Sequence, residues 1–281
     1  MKIVYIDWWL GRVIAMTWPI TELAKKEEVS VITSRPLAFR WNPYIKAVHW
    51  TWDRALWENV IRWNELITLE PYSDSDFYNK GENRLKVAAK QLKVEESNPC
   101  LFLAEHEKLD NLLEWNRPVL FQPFWSSMKL NWADKSYRSF KVEDAQYIAN
   151  ALRSNWYTVY VAERDDQPKL EWCNQLTVED LRRLITLTDR YPVIWCDSSL
   201  HHASKAFWKT ALVMWAWTDS WRFGYNTSIN LRNNEKYEYV PFRLWIDFNT
   251  DIQNQKCNNF AKERLDEYIS EALKLCYQWY N

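Results

Sequence analysis

Short apolar runs rich in β-branched residues alternate with longer segments of helical period along most of the chain. The run at 2–7 is followed by a helical pattern over 11–25, and that pattern is followed by a second apolar run at 29–34. Alternation of β and α at this spacing is typical of parallel sheets covered by helices. We therefore predict an α/β fold.

The same pattern predicts the remaining elements and a division into two domains. Strands are predicted at 2–7, 29–34, 66–69, 119–122, 158–162, 193–196 and 210–215. Helices are predicted at 11–25, 84–92, 142–154, 178–187, 199–207 and 259–276, with a polar loop at 74–83. Because the strand–turn–helix order restarts after 93–117, and 281 residues suffice for two domains, we predict Rossmann-like domains at 1–115 and 116–281.

Tryptophan and glycine have exchanged their ordinary abundances in this chain. The 281 residues include 20 tryptophans and only 3 glycines, whereas average usage predicts about 20 glycines. Many tryptophans also occupy glycine-type positions, such as Trp8 and Trp9 in a strand-to-helix turn and Trp156 at a predicted helix end. We predict that most stand for glycine, as happens when UGA codons that mean glycine are translated as tryptophan. The alternative is a genuinely tryptophan-rich, sugar-binding protein.

Charge and cysteine usage exclude several classes of function. The 36 basic and 37 acidic residues are balanced and include no cationic block, which argues against nucleic acid or an anionic membrane as the main partner. Five scattered cysteines without a C-x-x-C pair indicate neither a disulfide framework nor a zinc site, and fit a reducing compartment. Asp7 and Arg12 interrupt the apolar N-terminus, and no apolar run approaches the roughly 18 residues of a membrane helix. We predict a cytoplasmic protein.

Ligands of parallel α/β folds bind at the carboxyl ends of the strands, so the turns that follow strands are the places to look for chemistry. The first turn runs Asp7-Trp8-Trp9-Leu10-Gly11-Arg12. With small residues at 8 and 9, a ligand could approach the backbone, and the following helix N-terminus would favour an anion. A tight turn without a ligand is the alternative.

The second turn follows the predicted strand 119–122 and carries hydroxyl groups and a cation. Ser126, Ser127 and Lys129 are groups of the kind that hold a diphosphate, with Lys135 as a rival for the lysine role. A solvated polar loop is the alternative reading. The triplet Asp74-Ser75-Asp76 has the form of a metal-binding D-x-D motif, but its polar surroundings favour solvation, and we predict no metal.

The third turn joins the predicted strand 193–196 to a helix and is the most specific. Asp197 ends the strand, Ser198 or Ser199 can cap the helix, and His202 lies one helical turn further on, where it can face the same cleft. The alternatives are a capping role for Asp197 and a structural histidine.

Residues 195–220 resemble the donor-site signature of the heptosyltransferase family (glycosyltransferase family 9). Direct matches to that signature are Asp197, Ser198, His202, Ala206, Lys209, Thr218 and Asp219. Trp195, Trp208 and Trp217 fall where the family has glycine or another small residue. The first turn, the element Asn42-Pro43-Tyr44-Ile45 and the 122–129 turn resemble family elements as well, so the likeness covers most of the chain.

The resemblance implies a GT-B fold, with two Rossmann-like domains facing a central cleft. It also implies a transferase of lipopolysaccharide or other glycan biosynthesis, which moves a heptose or similar sugar from a nucleotide-diphospho-sugar to a glycan or glycolipid acceptor. That acceptor could bring peripheral membrane contact. No metal and no further cofactor is implied. The implied donor-binding residues are Ser126, Ser127, Lys129, Asp197, Ser198, Ser199 and His202.

One departure from the family pattern concerns the general base. The family places an aspartate after the N-terminal glycine turn, whereas this chain has Arg12 after Gly11, and a guanidinium cannot accept a proton. The catalytic base is therefore open, with Asp7 as a candidate. The alternatives are a GT-B-shaped nucleotide-sugar epimerase or hydrolase, and a non-catalytic nucleotide-sugar-binding protein.

Overall fold

The computed structural model describes residues 1–7, 9–104, 113, 116–124, 139–163, 166–177, 181–196, 198–216, 218–233 and 258–281. The chain divides into two compact units. Unit 1 comprises Met1–Leu109 with Lys205–Trp208, and unit 2 comprises Asp110–Ser204 with Lys209–Asn281. The predicted domain boundary follows residue 115, which lies outside the described residues, and it stays a prediction.

Unit 1 is built on a four-stranded parallel sheet of order β3-β2-β1-β4. Its strands are β1 Lys2–Tyr5, β2 Val29–Thr33, β3 Ala47–Trp50 and β4 Glu65–Thr68. Its helices are α1 Leu10–Ala24, α2 Leu56–Asn59, α3 Ser75–Lys80 and α4 Arg84–Leu92. Short 3₁₀ segments lie at Pro36–Phe39, Ile61–Trp63 and Pro71–Ser73. β2, a central strand, is buried along its whole length, whereas the edge strands β3 and β4 are partly exposed.

The predicted polar loop at 74–83 is wrong, because α3 lies within it. The Asp74 carboxylate accepts the Asp76 N–H at 2.9 Å and so caps the helix start. Gly81 ends the helix with φ 72. Asp76 is buried and pairs with Lys80 at 2.7 Å and also with Lys90. These two lysines lower the pKa of Asp76 to about 2. Within the D-x-D triplet, Asp74 caps the helix and Asp76 joins an ion-pair cluster, while Ser75 is exposed.

Unit 2 is built on a six-stranded parallel sheet of order β10-β9-β8-β5-β6-β7. Its strands are β5 Pro118–Gln122, β6 Thr158–Glu163, β7 Asn174–Thr177, β8 Val193–Cys196, β9 Ala211–Trp215 and β10 Ile229–Arg232. Its helices are α5 Val142–Ser154, α6 Leu181–Arg190, α7 Ser199–Ala206, α8 Ser220–Phe223 and α9 Lys262–Tyr280. The last two residues of α7 are grouped with unit 1.

The main core of unit 2 lies between one face of its sheet and the helices α5 and α9. Phe121, Ile194 and Met214 from the strands pack there with Ile148 of α5 and Tyr268 of α9. The amphipathic pattern of α9 explains this placement, because its apolar residues share one face. Since side chains alternate along a strand, the neighbours of these three residues in their own strands point to the opposite face of the sheet.

The α/β alternation predicted from the sequence is confirmed, and both sheets are parallel. Three strands were not predicted: β3, β7 and β10. Each lies at the edge of its sheet, where an exposed side allows polar residues and weakens the apolar pattern. Among the described helices, none is long and apolar enough to cross a membrane.

Candidate functional site

Each sheet has one place where the strand order reverses, and that is where open parallel sheets bind ligands. In unit 1 the order runs from β1 to β2 and β3 on one side and to β4 on the other. In unit 2 it runs from β5 to β6 and β7 on one side and to β8, β9 and β10 on the other. The two reversal points therefore lie between β1 and β4 and between β5 and β8.

The reversal point of unit 2 is bridged by a buried hydrogen bond between two of its turns. The Ser198 hydroxyl donates to Gln122 Oε1 at 2.6 Å, and both residues are buried. Gln122 is the last residue of β5, and Ser198 lies between the end of β8 and the start of α7. The turn predicted for the diphosphate and the turn predicted for the sugar thus leave from the two strands that flank this point.

Five of the residues singled out in these two turns lie outside the described residues: Ser126, Ser127, Lys129, Lys135 and Asp197. Ser199 opens α7. The strands from which the two turns leave are described, while the roles of these side chains stay predictions.

His202 is buried and contacts protein groups. The residue is only 3% exposed, and its Nδ1 lies 2.8 Å from the Tyr225 hydroxyl. The His201 and His202 ring centroids are 3.6 Å apart. Tyr225 follows the short helix α8 and was not predicted from the sequence. The contact with His202 Nδ1 can fix the position of the Tyr225 hydroxyl at this end of the sheet.

Two large indole side chains are buried on the strands β8 and β9, and that of Trp215 contacts His201. Trp195 and Trp215 are fully buried, and by strand alternation they point away from the α5–α9 core. The Trp215 indole N–H donates to Asn230 Oδ1 at 2.9 Å, and its ring meets His201 edge-on at 5.4 Å. A Cβ atom at Gly224 would lie 2.5 Å from the Ser220 carbonyl oxygen, so this close approach requires a glycine.

The reversal point of unit 1 is bridged by Arg12. Its guanidinium pairs with Glu70 at 2.7 Å and donates to the Leu69 carbonyl oxygen at 3.1 Å. It also lies 4.9 Å from the centroid of the Tyr72 ring. Arg12 therefore ties the first turn of α1 to the chain that follows β4. Gly11 is buried in that same helical turn, and Trp8 lies outside the described residues.

Asp7 lies beside a cavity at the carboxyl ends of β1, β2 and β3. The cavity measures about 550 Å³ and is lined by Tyr5, Asp7, Ser34, Arg35, Trp50 and Trp52. The Asp7 carboxylate accepts the Ser34 N–H at 3.1 Å and also accepts the Ser34 hydroxyl. Burial, and then the Asp7 charge, raise the pKa of Tyr5. This arrangement offers an oriented carboxylate in an accessible cavity.

Metal-ligating side chains do not gather in the described part of the chain. No group of three or more His, Cys, Asp or Glu residues there is placed to hold a metal ion. The described cysteines, Cys100, Cys173, Cys196 and Cys276, are free thiols.

This chain resembles known proteins in its structure and not in its sequence. No protein-family model matches the chain, and no curated protein matches it in sequence. A glycosyltransferase of family 9 from Veillonella parvula is 12% identical with a TM-score of 0.66, and the match covers 99% of this chain and 96% of that one. The ADP-heptose lipopolysaccharide heptosyltransferase II of E. coli is 15% identical with a TM-score of 0.63, and the match covers 91% and 99%.

A third solved structure is the dodecameric iron-containing heptosyltransferase TibC of enterotoxigenic E. coli in complex with ADP-D-β-D-heptose. It is 13% identical with a TM-score of 0.69, and the match covers 98% of this chain and 77% of that one. At such identities the likeness is one of fold. The chain has the α/β fold of the GT-B glycosyltransferases, with two Rossmann-like parallel sheets.

Proposed function

We propose that this protein is a metal-independent glycosyltransferase that moves a heptose or similar sugar from a nucleotide-diphospho-sugar to a glycan or glycolipid acceptor. The observation that carries the proposal is the reversal point of unit 2. The two turns that resemble the family's donor site leave from β5 and β8, the strands that flank this point. They meet through the Ser198–Gln122 hydrogen bond. Residues distant in sequence therefore converge where this fold class binds nucleotides.

The donor would be held by groups that match its charge. Ser126, Ser127 and Lys129, with Lys135 as a rival, would contact the diphosphate, because hydroxyl and ammonium donors stabilise the charge that develops on a departing diphosphate. Asp197 would accept hydrogen bonds from sugar hydroxyls. Ser199 starts α7 and Ser198 directly precedes it, and the N-terminus of this helix favours an anion. The buried His202 would act through the Tyr225 hydroxyl that it contacts.

The acceptor would bind at the cavity of unit 1, with Asp7 as the general base. In an inverting transfer the acceptor oxygen bonds to the anomeric carbon, its proton passes to the base, and the nucleoside diphosphate leaves with the electrons of the broken bond. Arg12 cannot take that proton, and it is held by Glu70. Asp7 keeps its carboxylate oriented by Ser34. Solved structures of the same fold include heptosyltransferases, which supports this class of reaction.

A transfer assay with a labelled ADP-sugar separates the candidate functions. The transferase reading expects label in a glycan acceptor and release of nucleoside diphosphate only when acceptor is present. Donor turnover without acceptor would favour an epimerase or hydrolase. Donor binding without any turnover would favour a non-catalytic binding protein, the reading that Arg12 motivates. Addition of a chelator tests metal independence, since a metal-dependent enzyme would lose activity.

We propose a cytoplasmic setting for this reaction. The described cysteines are free thiols, and free thiols fit a reducing compartment. A glycolipid acceptor would bring the protein into peripheral contact with a membrane.

A further inference from the structure

Three tryptophans hold a backbone conformation that glycine favours. Among the described residues, five non-glycine residues have positive φ, and three of these are Trp156, Trp172 and Trp208, with φ of 67, 60 and 62. In this left-handed region the Cβ of an L-residue crowds the following carbonyl oxygen, and bulky side chains are rare there. Gly81, the described glycine with positive φ, has a φ of 72 and ends α3.

Two of these tryptophans close a hydrogen-bonded helix end that usually contains glycine. After α5, the Trp156 N–H donates to the Arg153 carbonyl at 3.0 Å, and the Tyr157 N–H donates to the Leu152 carbonyl at 3.3 Å. After α7, the Trp208 N–H donates to the Lys205 carbonyl at 2.9 Å, and the Lys209 N–H donates to the Ser204 carbonyl at 3.1 Å. This pair of bonds is the Schellman motif, whose left-handed residue is commonly glycine.

The indoles at these positions gain little from packing that could offset the strain. Trp156, Trp172 and Trp208 are 86%, 80% and 67% exposed. All three shortly precede strands, namely β6, β7 and β9. They therefore lie toward the amino end of a parallel sheet, whereas ligands bind at the carboxyl end. A sugar-stacking role in the proposed site does not account for them.

Buried tryptophans show a different mismatch. Trp18 and Trp195 are almost completely buried, and the indole N–H of each has no hydrogen-bond partner within the described part of the chain. Buried indole N–H groups usually find an acceptor. Trp279 provides the contrast, because its indole N–H donates to the Arg190 carbonyl at 3.1 Å and its ring lies 5.2 Å from Lys209 Nζ.

We propose that the native protein carries glycine at positions 18, 156, 172, 195 and 208 and a genuine tryptophan at position 279. The gene would accordingly have UGA, decoded as glycine, at the first five positions and UGG at the last. The positive φ favours glycine at 156, 172 and 208, while the unpartnered indoles argue for it at 18 and 195. The proposal concerns the identity of residues and does not depend on the proposed function.

Peptide mass spectrometry of the protein purified from its native host tests the proposal directly. Trypsin releases peptides 13–25, 154–164, 170–182, 191–205, 206–209 and 275–281, which contain positions 18, 156, 172, 195, 208 and 279 in turn. The expected masses carry glycine in the first five peptides and tryptophan in the last. Tryptophan in any of the first five, or glycine at 279, would overturn the corresponding assignment.

A second test uses the chain as written, produced recombinantly. Trp156→Gly, Trp172→Gly and Trp208→Gly should each raise the melting temperature by about 2–8 °C, because each removes left-handed strain of the usual size. Trp279→Gly is the matched control and should lower it. An unchanged or lower melting temperature in all three glycine variants would count against the proposal. If the written chain yields no folded protein, the native peptide masses decide alone.

Discussion

The carboxyl ends of the two sheets are organised differently although both follow the same topological rule. In unit 1 a charged pair, Arg12–Glu70, bridges the reversal point, and Asp7 lines a cavity of about 550 Å³. In unit 2 a neutral pair, Ser198–Gln122, bridges it, and the buried Trp195 and Trp215 fill space nearby. Unit 1 therefore offers an accessible carboxylate. In the tryptophan-bearing sequence, by contrast, indole side chains crowd the proposed donor region of unit 2.

Of the substitutions that test this comparison, that of Asp7 should have the largest effect, which is on the rate of transfer. The glycine-bearing protein, with glycine at positions 18, 156, 172, 195 and 208, is the parent for this test. In it, Asp7→Asn removes the proposed base, and transfer should slow by about 10²–10⁴-fold, the usual contribution of general base catalysis. Donor affinity should stay unchanged, because the donor is assigned to unit 2. The two quantities are measured by acceptor-saturated kinetics and by donor titration.

Ser34→Ala is the control for this experiment. It removes a hydrogen bond that orients Asp7 without removing the carboxylate, so its effect on transfer should be smaller. Full activity of Asp7→Asn would show that the base lies elsewhere.

The charged bridge of unit 1 should matter for stability. Arg12→Ala leaves the partly buried Glu70 carboxylate without its ion pair, and should lower the free energy of unfolding by about 1–3 kcal/mol. Denaturant unfolding of Arg12→Ala, Glu70→Ala and the double variant measures the coupling between the two side chains. Additive losses in the double variant would mean that the pair contributes nothing, and Arg12 would then need another explanation.

The smallest change in stability is expected at Asp76, because the side chains of its partners Lys80 and Lys90 are largely exposed and solvent screens the ion pairs. Its pKa of about 2 in the folded protein is below the ordinary value of roughly 3.9 for an unfolded aspartate. A depressed folded pKa gives a stabilisation that is complete above the unfolded pKa and is lost as pH falls toward 2. Melting temperatures recorded from pH 5 to pH 2 should fall less steeply for Asp76→Asn. Parallel curves for the two proteins would contradict the ion-pair cluster.

The sequence predicts the central strands and long helices because buried parallel strands are continuous apolar runs and helices such as α9 are amphipathic. It does not predict β7 or β10, whose edge positions tolerate polar residues. The six-residue helix α3 was missed because it is polar. Its caps, Asp74 and Gly81, are the signal that could have revealed it.

The candidate site is partly predictable for a related reason. The rule for strand ends selects, from the sequence alone, the turn that contains Ser198 and the start of the helix that contains His202. Their partners, Gln122 and Tyr225, come from distant parts of the chain and become visible only when the strands pair. The same holds for the pairing of Arg12 with Glu70. Roles that depend on Asp197 and the 125–138 segment stay predictions.

The most direct test of the account is a calorimetric titration of the glycine-bearing protein with a nucleotide-diphospho-sugar such as ADP-heptose. The account predicts binding to the parent protein and a loss of affinity of about 10–150-fold in Asp197→Ala, the range expected for a hydrogen bond to a charged group. Equal affinity of the two proteins would remove the donor site from the end of β8, and no binding of any such donor would contradict the transferase assignment.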